Sequence, residues 1–256
     1  MDELLKMCVI VCPLVFLGAF VDSVAGGGGL ITLPAYLMAG LPVHVAAGTN
    51  KLVAGIGTAT ATAGFLKNGK VRIRIALCAA LGSTIGAFIG TGFAKRLPAD
   101  ALQALMLVAL PLVAVFLVVK KDLGRDTEEE KQYPARYEVL VSLAIGLVIG
   151  LYDGIIGPGT GTFLIMAFTM FLSLNMITAS GCAKVANLAS NTASAISYIA
   201  SGKVLWMLAL PAALCSILGG YCGSMYAVRG GSKRIRGMIF VVLGMLFAKM
   251  LYELIV

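Results

Sequence analysis

The stretch Asp22-Ser23-Val24-Ala25-Gly26-Gly27-Gly28-Gly29 places a carboxylate and four consecutive glycines between apolar segments. A related stretch, Asp153-Gly154-Ile155-Ile156-Gly157-Pro158-Gly159-Thr160-Gly161, follows later with the same spacing, because each aspartate precedes glycines by four and by six positions. Clustered glycines expose backbone N–H and C=O groups, which a bilayer tolerates only where protein or a watery cavity surrounds them. Two such breaks predict a paired central site.

The composition is that of a polytopic membrane protein. Of the 256 residues, 59% are hydrophobic and 12% are charged, and the mean hydropathy is +0.96, whereas soluble domains contain roughly 25% charged residues. At about 20 residues a span, the chain has room for roughly eight to ten crossings and no large soluble domain. The net charge of +8 comes from basic residues lying mostly between apolar runs, which indicates topology signals rather than a nucleic-acid surface.

Two of the apolar runs, Leu30–Met38 and Thr162–Leu172, are too short for ordinary spans, and each follows a glycine cluster. This pattern is typical of discontinuous or re-entrant helices. A long charged segment, residues 120–136, reads as a solvated linker. We therefore predict a first transmembrane repeat over residues 1–119, a charged linker over 120–136 and a second repeat over 137–256.

The two halves match beyond the glycine motif, which predicts an internal duplication. Matching residues lie 133 positions apart, and the Asp/Gly motifs lie 131 apart, so one small insertion suffices; the matches are Lys51 with Lys184, Lys70 with Lys203, Gly86 with Gly219, Gly90 with Gly223 and Arg96 with Arg229.

The orientation of the repeats depends on whether the short segments cross the membrane or re-enter. Five crossings in each half would invert the second repeat, and four would make the repeats parallel. The inverted arrangement places 13 basic residues inside and 4 outside, against 11 and 6 for the parallel one. The positive-inside rule therefore favours inverted repeats.

These motifs resemble those of the sulfite exporter TauE/SafE membrane transporters. The resemblance covers nearly the whole chain and is carried by residues 26–34 (GGGGLITLP), 47–51 (AGTNK), 153–162 (DGIIGPGTGT) and 179–184 (ASGCAK). It implies transport of sulfur-containing anions, such as sulfite, sulfonates or sulfoacetate, across the cytoplasmic membrane. Family members differ in substrate and direction, so the resemblance gives a class and not a compound.

Lys51 and Lys184 are the main candidates for an anion site. Each lies within a long apolar run at a matched position of the repeat. Because a charge within a membrane span costs about 2.5–3.5 kcal/mol, an ionisable residue there indicates a functional site. Two lysines from opposed repeats would suit an oxyanion. The alternative is that each ammonium pairs with Asp22 or Asp153 and locks the broken helices together.

Glycines and neutral polar residues complete the predicted binding site. The glycine clusters would present helix N-termini to an anion, or else allow close helix packing. The polar residues of this chain that recur at helical spacing would either line a pathway or form interhelical hydrogen bonds. The predicted substrate-binding residues are Gly26, Gly27, Gly28, Gly29, Thr49, Asn50, Lys51, Gly157, Gly159, Thr160, Gly161, Lys184, Asn187 and Asn191.

Asp22 and Asp153 are the coupling candidates, either as proton carriers or as residues that merely end a helix near the interface. No catalytic motif such as HExxH or GxSxG is present, so we expect no enzyme. The six cysteines lack CxxC spacing and are expected to pack as small apolar residues, so neither a metal nor another cofactor is predicted.

The sequence thus predicts an all-α integral membrane protein of two inverted repeats, each with about five helical segments and one glycine-broken helix. The predicted function is secondary transport of a small sulfur-containing anion by alternating access in the cytoplasmic (inner) membrane, with lipid as the surroundings and no nucleic-acid partner. A passive anion channel and a membrane-embedded structural or assembly factor are the alternatives. Substrate, direction, coupling ion and oligomeric state, including a homo-oligomer, stay open.

Overall fold

A computed structural model of the protein describes residues 2–105 and 133–255. The described residues form helices and connecting turns, with no strand among them. Residues 99–105 are also helical. The principal helices are α1 (Asp2–Ala25), α2 (Gly29–Met38), α3 (Val43–Lys67), α4 (Ile73–Ala94), α5 (Ala135–Ile155), α6 (Thr160–Leu172), α7 (Met176–Ile199) and α8 (Trp206–Ile255).

Helix α8 consists of two helical segments that meet at Gly231. This residue has φ 65° and ψ −167°, which are not helical values. The left-handed φ is one that glycine adopts without the steric cost of a side chain. The second half therefore ends in a separate helical segment after the kink.

By length and composition, four helical stretches could cross a membrane, and the protein is a membrane protein. They are Glu3–Ala25, Ile73–Ala94, Ala135–Ile155 and Trp206–Ile239. Helices α2 and α6 are apolar but shorter, with 10 and 13 residues. The predicted short segments after the glycine clusters are thus confirmed as separate helices.

Helices α3 and α7 are long but less apolar, and they lie at the centre of the molecule. Much of α7 is buried, including its polar Ser180, Lys184 and Asn187. Polar side chains are tolerated in a membrane protein where they face the bundle interior instead of lipid. The central position of α3 and α7 therefore follows from their composition.

Most of the predicted charged linker lies outside the described residues, but its end requires a correction. We expected the linker to reach residue 136, whereas Ala135 and Arg136 already belong to α5. Pro134 is the N-cap, with φ −55° and ψ 140°. Proline fixes φ near this value and lacks an N–H, so it readily precedes the first turn of a helix.

Glycines allow the first helix of each half to pack closely on the fourth helix of the other half. Helix α4 contacts α5 along Gly82, Gly86 and Gly90, and a methyl group on any of them would overlap the α5 backbone. Helix α8 contacts α1 in the corresponding way, through Gly219 and Gly223. Small residues of this kind let membrane helices approach to backbone contact.

The loops after α3 and α7 are held by the other half in matching contacts. Gly48, near the start of α3, touches the carbonyl of Lys203, and Gly181, near the start of α7, touches the carbonyl of Lys70. Beside these contacts, the N–H of Leu205 donates to Thr49 Oγ1 at 3.0 Å. The two ends of the molecule are therefore built alike.

One ion pair breaks this likeness. Arg72 Nη2 lies 2.6 Å from Glu138 Oε1, and the exposed fractions of the two side chains are 33% and 6%. The pair joins the loop after α3 to the first turn of α5. The residues at the equivalent positions of the repeat, Leu205 and Met7, are apolar. This ion pair is therefore present at one end of the molecule.

The glycine contact between α4 and α5 predicts a position-specific loss of stability. Gly86→Val should destabilise the protein by about 1–3 kcal/mol or more, because the added carbons would overlap the backbone of α5. Gly92→Val, on the same helix, is the matched control, because a Cβ at Gly92 would meet no atom within 4 Å. Thermal unfolding of both variants in detergent measures this, and equal midpoints would contradict the packing.

The unequal burial of the Arg72–Glu138 pair predicts unequal effects of removing each partner. Arg72→Ala leaves a buried carboxylate without its cation, which costs about 3–5 kcal/mol. Glu138→Gln leaves a guanidinium that water already reaches, so its cost should be clearly smaller. Unfolding midpoints of the two variants and of the double variant test this; a larger loss from Glu138→Gln would contradict it.

Candidate functional site

The two glycine breaks meet between the halves. Helix α1 ends at Ala25, and Gly26 follows with φ +80°. Gly26 lies so close to Gly161 that a methyl group on either would overlap the other's backbone. Thr162 Oγ1 donates to the Ala25 carbonyl at 2.7 Å. The end of α1 and the start of α6 therefore form one continuous contact.

Each buried lysine pairs with the aspartate of the other half. Lys184 Nζ lies 2.9 Å from Asp22 Oδ2, and Lys51 Nζ lies 2.7 Å from Asp153 Oδ2. The ion-pair alternative considered from the sequence is thus present in the structure, and both pairs cross between the halves. Together the two ammonium and two carboxylate groups carry no net charge when all four are ionised.

The Lys184–Asp22 pair is fully satisfied by hydrogen bonds. The Lys184 side chain is 0% exposed, and its ammonium donates both to Asp22 Oδ2 and to the Asp22 main-chain carbonyl. The N–H of Gly28 approaches Asp22 Oδ1 at 3.4 Å. Every contact to this carboxylate therefore comes from a donor, which suits its ionised form.

The Lys51–Asp153 pair is arranged differently. Its side chains are 8% and 3% exposed, and the contact is an ion pair whose angles are not those of a good hydrogen bond. Thr160 Oγ1 lies 2.7 Å from Asp153 Oδ1. Gly157, with φ +93°, leaves the space beside the Lys51 ammonium free of a side chain. Lys51 thus has a close ion pair but not the two hydrogen bonds that Lys184 donates to Asp22.

A central cavity lies beside these pairs and is lined by both halves. Asp22 and Asp153 both reach it. Of the predicted binding residues, the first half supplies Gly26, Gly29, Asn50 and Lys51. The second half supplies Gly157, Gly159, Thr160, Gly161, Asn187 and Asn191.

Four predicted residues do not line this cavity. Lys184 is fully buried against Asp22, and Thr49 is buried and accepts the Leu205 N–H. Gly28 lines a neighbouring cavity between α1, α2, α3 and α8. Gly27 lines neither of them. Thr49 and Lys184 thus contact the opposite half rather than the cavity.

The structure adds residues that the sequence reasoning missed. Ala54 lines the central cavity, one helical turn after Asn50, and this spacing alone could have identified it. Tyr198 lines a further small cavity, which Lys51 also borders. Asn50 borders all three cavities, which makes it the junction between them.

The cavity offers donors suited to an anion. Asn50, Asn187 and Asn191 carry amide groups, and Asn191 Nδ2 donates to Asn187 Oδ1 at 3.3 Å. The N-terminus of α6 also opens here, with Gly159 as its left-handed N-cap. Backbone N–H groups and the helix dipole favour negative charge at such a terminus. In the part of the chain that the structure describes, no three His, Cys, Asp or Glu residues are grouped to hold a metal.

Comparison with known proteins agrees with this architecture. The model of the family "Sulfite exporter TauE/SafE" matches residues 11–250. The chain is 34% identical to a probable membrane transporter protein, ORF9, of Sinorhizobium sp. over 89% of this chain and 85% of the relative. It is 32% identical to a probable membrane transporter protein of Haemophilus influenzae over 99% and 98% of the two chains.

A third similar protein is the probable membrane transporter protein YfcA of Escherichia coli K12. It is 31% identical over 93% of this chain and 87% of its own. No solved structure matches the chain at a comparable level of significance.

The crossed ion pairs predict that neutral double variants are more stable than single ones. Lys51→Met alone should lower stability by about 3–5 kcal/mol, because it leaves the buried Asp153 carboxylate without its cation. Lys184→Met alone should lower it less, because the Asp22 carboxylate that it leaves is 19% exposed. Adding Asp153→Asn to the first variant and Asp22→Asn to the second should restore much of the loss. Detergent unfolding midpoints test this, with the mismatched combination of Lys51→Met and Asp22→Asn as control.

Rescue by the mismatched partner, to the same extent as by the crossed one, would contradict the pairing.

Proposed function

Because the chain belongs to the sulfite exporter TauE/SafE family, we propose that it is a secondary transporter of small sulfur-containing anions. Sulfite, a sulfonate or sulfoacetate would cross the cytoplasmic membrane by alternating access, in a chain that spans this membrane several times. The family name supports the substrate class, and the relatives named probable membrane transporters support the activity. The observation that carries the proposal is a cavity between the halves, bordered by crossed lysine–aspartate pairs.

We further propose that the halves are inverted repeats. Through Gly48, the start of α3 contacts the loop after α7, and through Gly181, the start of α7 contacts the loop after α3. Two helices that meet in this way run in opposite directions, although they occupy equivalent positions in the two halves. Helices α4 and α5 run in the same direction, because Gly82 lies beside Gly146 and Gly90 beside Gly154. The antiparallel relation of the equivalent helices α3 and α7 is expected of inverted repeats and not of parallel ones, and the direction of α4 and α5 is compatible with it.

The anion would bind in the central cavity through donors of three kinds. The amides of Asn50, Asn187 and Asn191 donate neutral N–H groups, the N-terminus of α6 adds its backbone dipole, and Lys51 adds positive charge. Lys51 is neutralised by Asp153 at 2.7 Å, so a bound anion would compete with this carboxylate for the ammonium. Binding and rearrangement of the site are therefore coupled.

Alternating access would use the same contacts. Transporters with inverted repeats commonly bind substrate where broken helices face each other, and one half moves against the other. Here the breaks after Ala25 and Ile155 face each other across the cavity. The crossed ion pairs would then be remade as the halves move, which keeps each buried charge neutralised in both states.

Transport assays on purified protein in proteoliposomes test the proposal. Uptake of radiolabelled sulfite, methanesulfonate and sulfoacetate, and of the zwitterionic sulfonate taurine, should be saturable for at least one of these compounds and accelerated by the same compound on the opposite side. Fast flux without saturation or exchange would indicate a channel. No flux of any of them would overturn transport of sulfur anions and favour a structural factor.

The amides provide a site-directed test of the same proposal. Asn191→Ala should raise KM about tenfold or more, because one hydrogen bond to a charged group contributes about 1.5–3 kcal/mol. Thr192→Ala is the matched control, since Thr192 is the next residue of α7 and is exposed. A KM that is raised equally in both variants would contradict binding at the cavity.

A further inference from the structure

The hydroxyl of Thr160 lies between two acceptor oxygens. Its Oγ1 is 2.7 Å from Asp153 Oδ1 and 2.6 Å from the main-chain carbonyl oxygen of Gly157. A hydroxyl has one hydrogen to donate, whereas an ionised carboxylate and a carbonyl can only accept. With Asp153 ionised, two short oxygen–oxygen contacts would share a single proton.

A proton on Asp153 Oδ1 satisfies both contacts. The carboxylic acid would donate to Thr160 Oγ1, and the Thr160 hydroxyl would donate to the Gly157 carbonyl. Both O···O distances fall in the range of 2.5–3.0 Å that O–H···O hydrogen bonds occupy. Gly157 has φ +93°, a backbone conformation that turns the chain after α5 and brings its carbonyl within reach of Thr160.

Asp22, the equivalent residue in the first half, also faces a lysine ammonium, but its second oxygen faces a backbone N–H instead of a hydroxyl. Its oxygens face the ammonium of Lys184 at 2.9 Å and the N–H of Gly28 at 3.4 Å. These groups are donors, so they favour the ionised carboxylate and leave no acceptor for a proton. The position matching Thr160 is Gly29, which has no hydroxyl. The two aspartates thus differ in one respect: Asp153 contacts a hydroxyl whose other short contact is an acceptor, and Asp22 does not.

The surroundings of Asp153 contain few other charges. Lys51 of α3 lies 2.7 Å away, and Asp22 of α1, with Lys184 of α7 bound to it, borders the same cavity. Tyr198 of α7 borders the adjoining cavity. Helix α6 has no titratable residue, and α4 meets this part of α5 through Gly90, far along the helix from Arg74. Lys51 is therefore the group whose movement decides whether Asp153 takes a proton.

We propose that Asp153 carries the coupling proton and that Asp22 stays an ionised anchor for Lys184; this inference rests on the proposed transport function. An anion that enters the cavity takes the Lys51 ammonium away from Asp153, and a proton from water binds Asp153 Oδ1. On release of the anion, the proton leaves and the Lys51–Asp153 pair forms again. One monovalent anion thus moves with one proton and no net charge, and a divalent anion moves with one net negative charge.

The test uses the full chain in proteoliposomes with radiolabelled methanesulfonate, whose single charge does not change with pH. One proton per anion predicts about tenfold accumulation for each unit of pH difference, acid outside, in the absence of a membrane potential. Asp153→Asn should still exchange labelled for unlabelled methanesulfonate, but its accumulation ratio should fall to about one. Asp100→Asn, a change at an exposed aspartate that lines none of the cavities, is the matched control and should keep the accumulation driven by pH.

Asp153→Asn that still accumulates the anion like the wild type would overturn the assignment. So would an equal loss of pH-driven accumulation in Asp100→Asn, because the loss would then not be specific to Asp153. Wild-type transport that is saturable and shows exchange, but whose accumulation ratio does not depend on the pH difference, would overturn the inference while leaving the proposed function intact. No wild-type flux of methanesulfonate, sulfite, taurine or sulfoacetate would overturn both.

An infrared measurement keeps the inference testable if Asp153→Asn fails to exchange. In acid-minus-base difference spectra with methanesulfonate, the wild type should show a protonated-carboxyl C=O band that Asp153→Asn lacks and Asp22→Asn retains. In Thr160→Val the band should move to higher frequency, because the acid loses the hydroxyl to which it donates. A band that stays in Asp153→Asn, or one unmoved in Thr160→Val, would overturn the proton assignment.

Discussion

The need to neutralise a lysine ammonium inside a hydrophobic molecule constrains the rest of this structure. Lys51 and Lys184 are almost completely removed from solvent, and an unpaired charge in such surroundings would be very costly. Each charge is met by an aspartate from the other half. Neither half could bury its own lysine in this way by itself, so the ion pairs make the two halves depend on each other.

The crossed pairing explains why glycine is placed where it is. For Lys184 to reach Asp22, the end of α1 must approach α7 and α6 to backbone contact, and Gly26 and Gly161 permit this at the centre. The same closeness is repeated farther out by the glycines of α4 and α5. These contacts bring the helices together through small residues, and the ion pairs then fix which residues face each other.

Much of the architecture could be predicted from the sequence because its signals are local. Helices α1 and α5 end at the glycine clusters, close to the expected positions, and the short apolar runs form α2 and α6. The partner of each lysine could not be chosen, because an aspartate lies at the same position of either repeat. Thr49 and Asn50 illustrate a second limit: they are neighbours on a helix buried on several sides, and only the packing of the other half decides that Asn50 borders the cavity while Thr49 holds Leu205.

The duplication is kept where charge must be balanced and is relaxed where an anion would be contacted. The lysines and aspartates recur in both halves, but the matches of Asn187 and Asn191 in α3 are Ala54 and Thr58, and the match of Asn50 in α7 is Ala183. If both halves carried the same set of donor side chains, these side chains would fill the single cavity and leave no space for a small anion. In the proposed transporter, symmetric charges would keep both states of the molecule neutralised, and the unequal amides would give one cavity a defined set of contacts. This division follows from placing one site between two copies of the same fold.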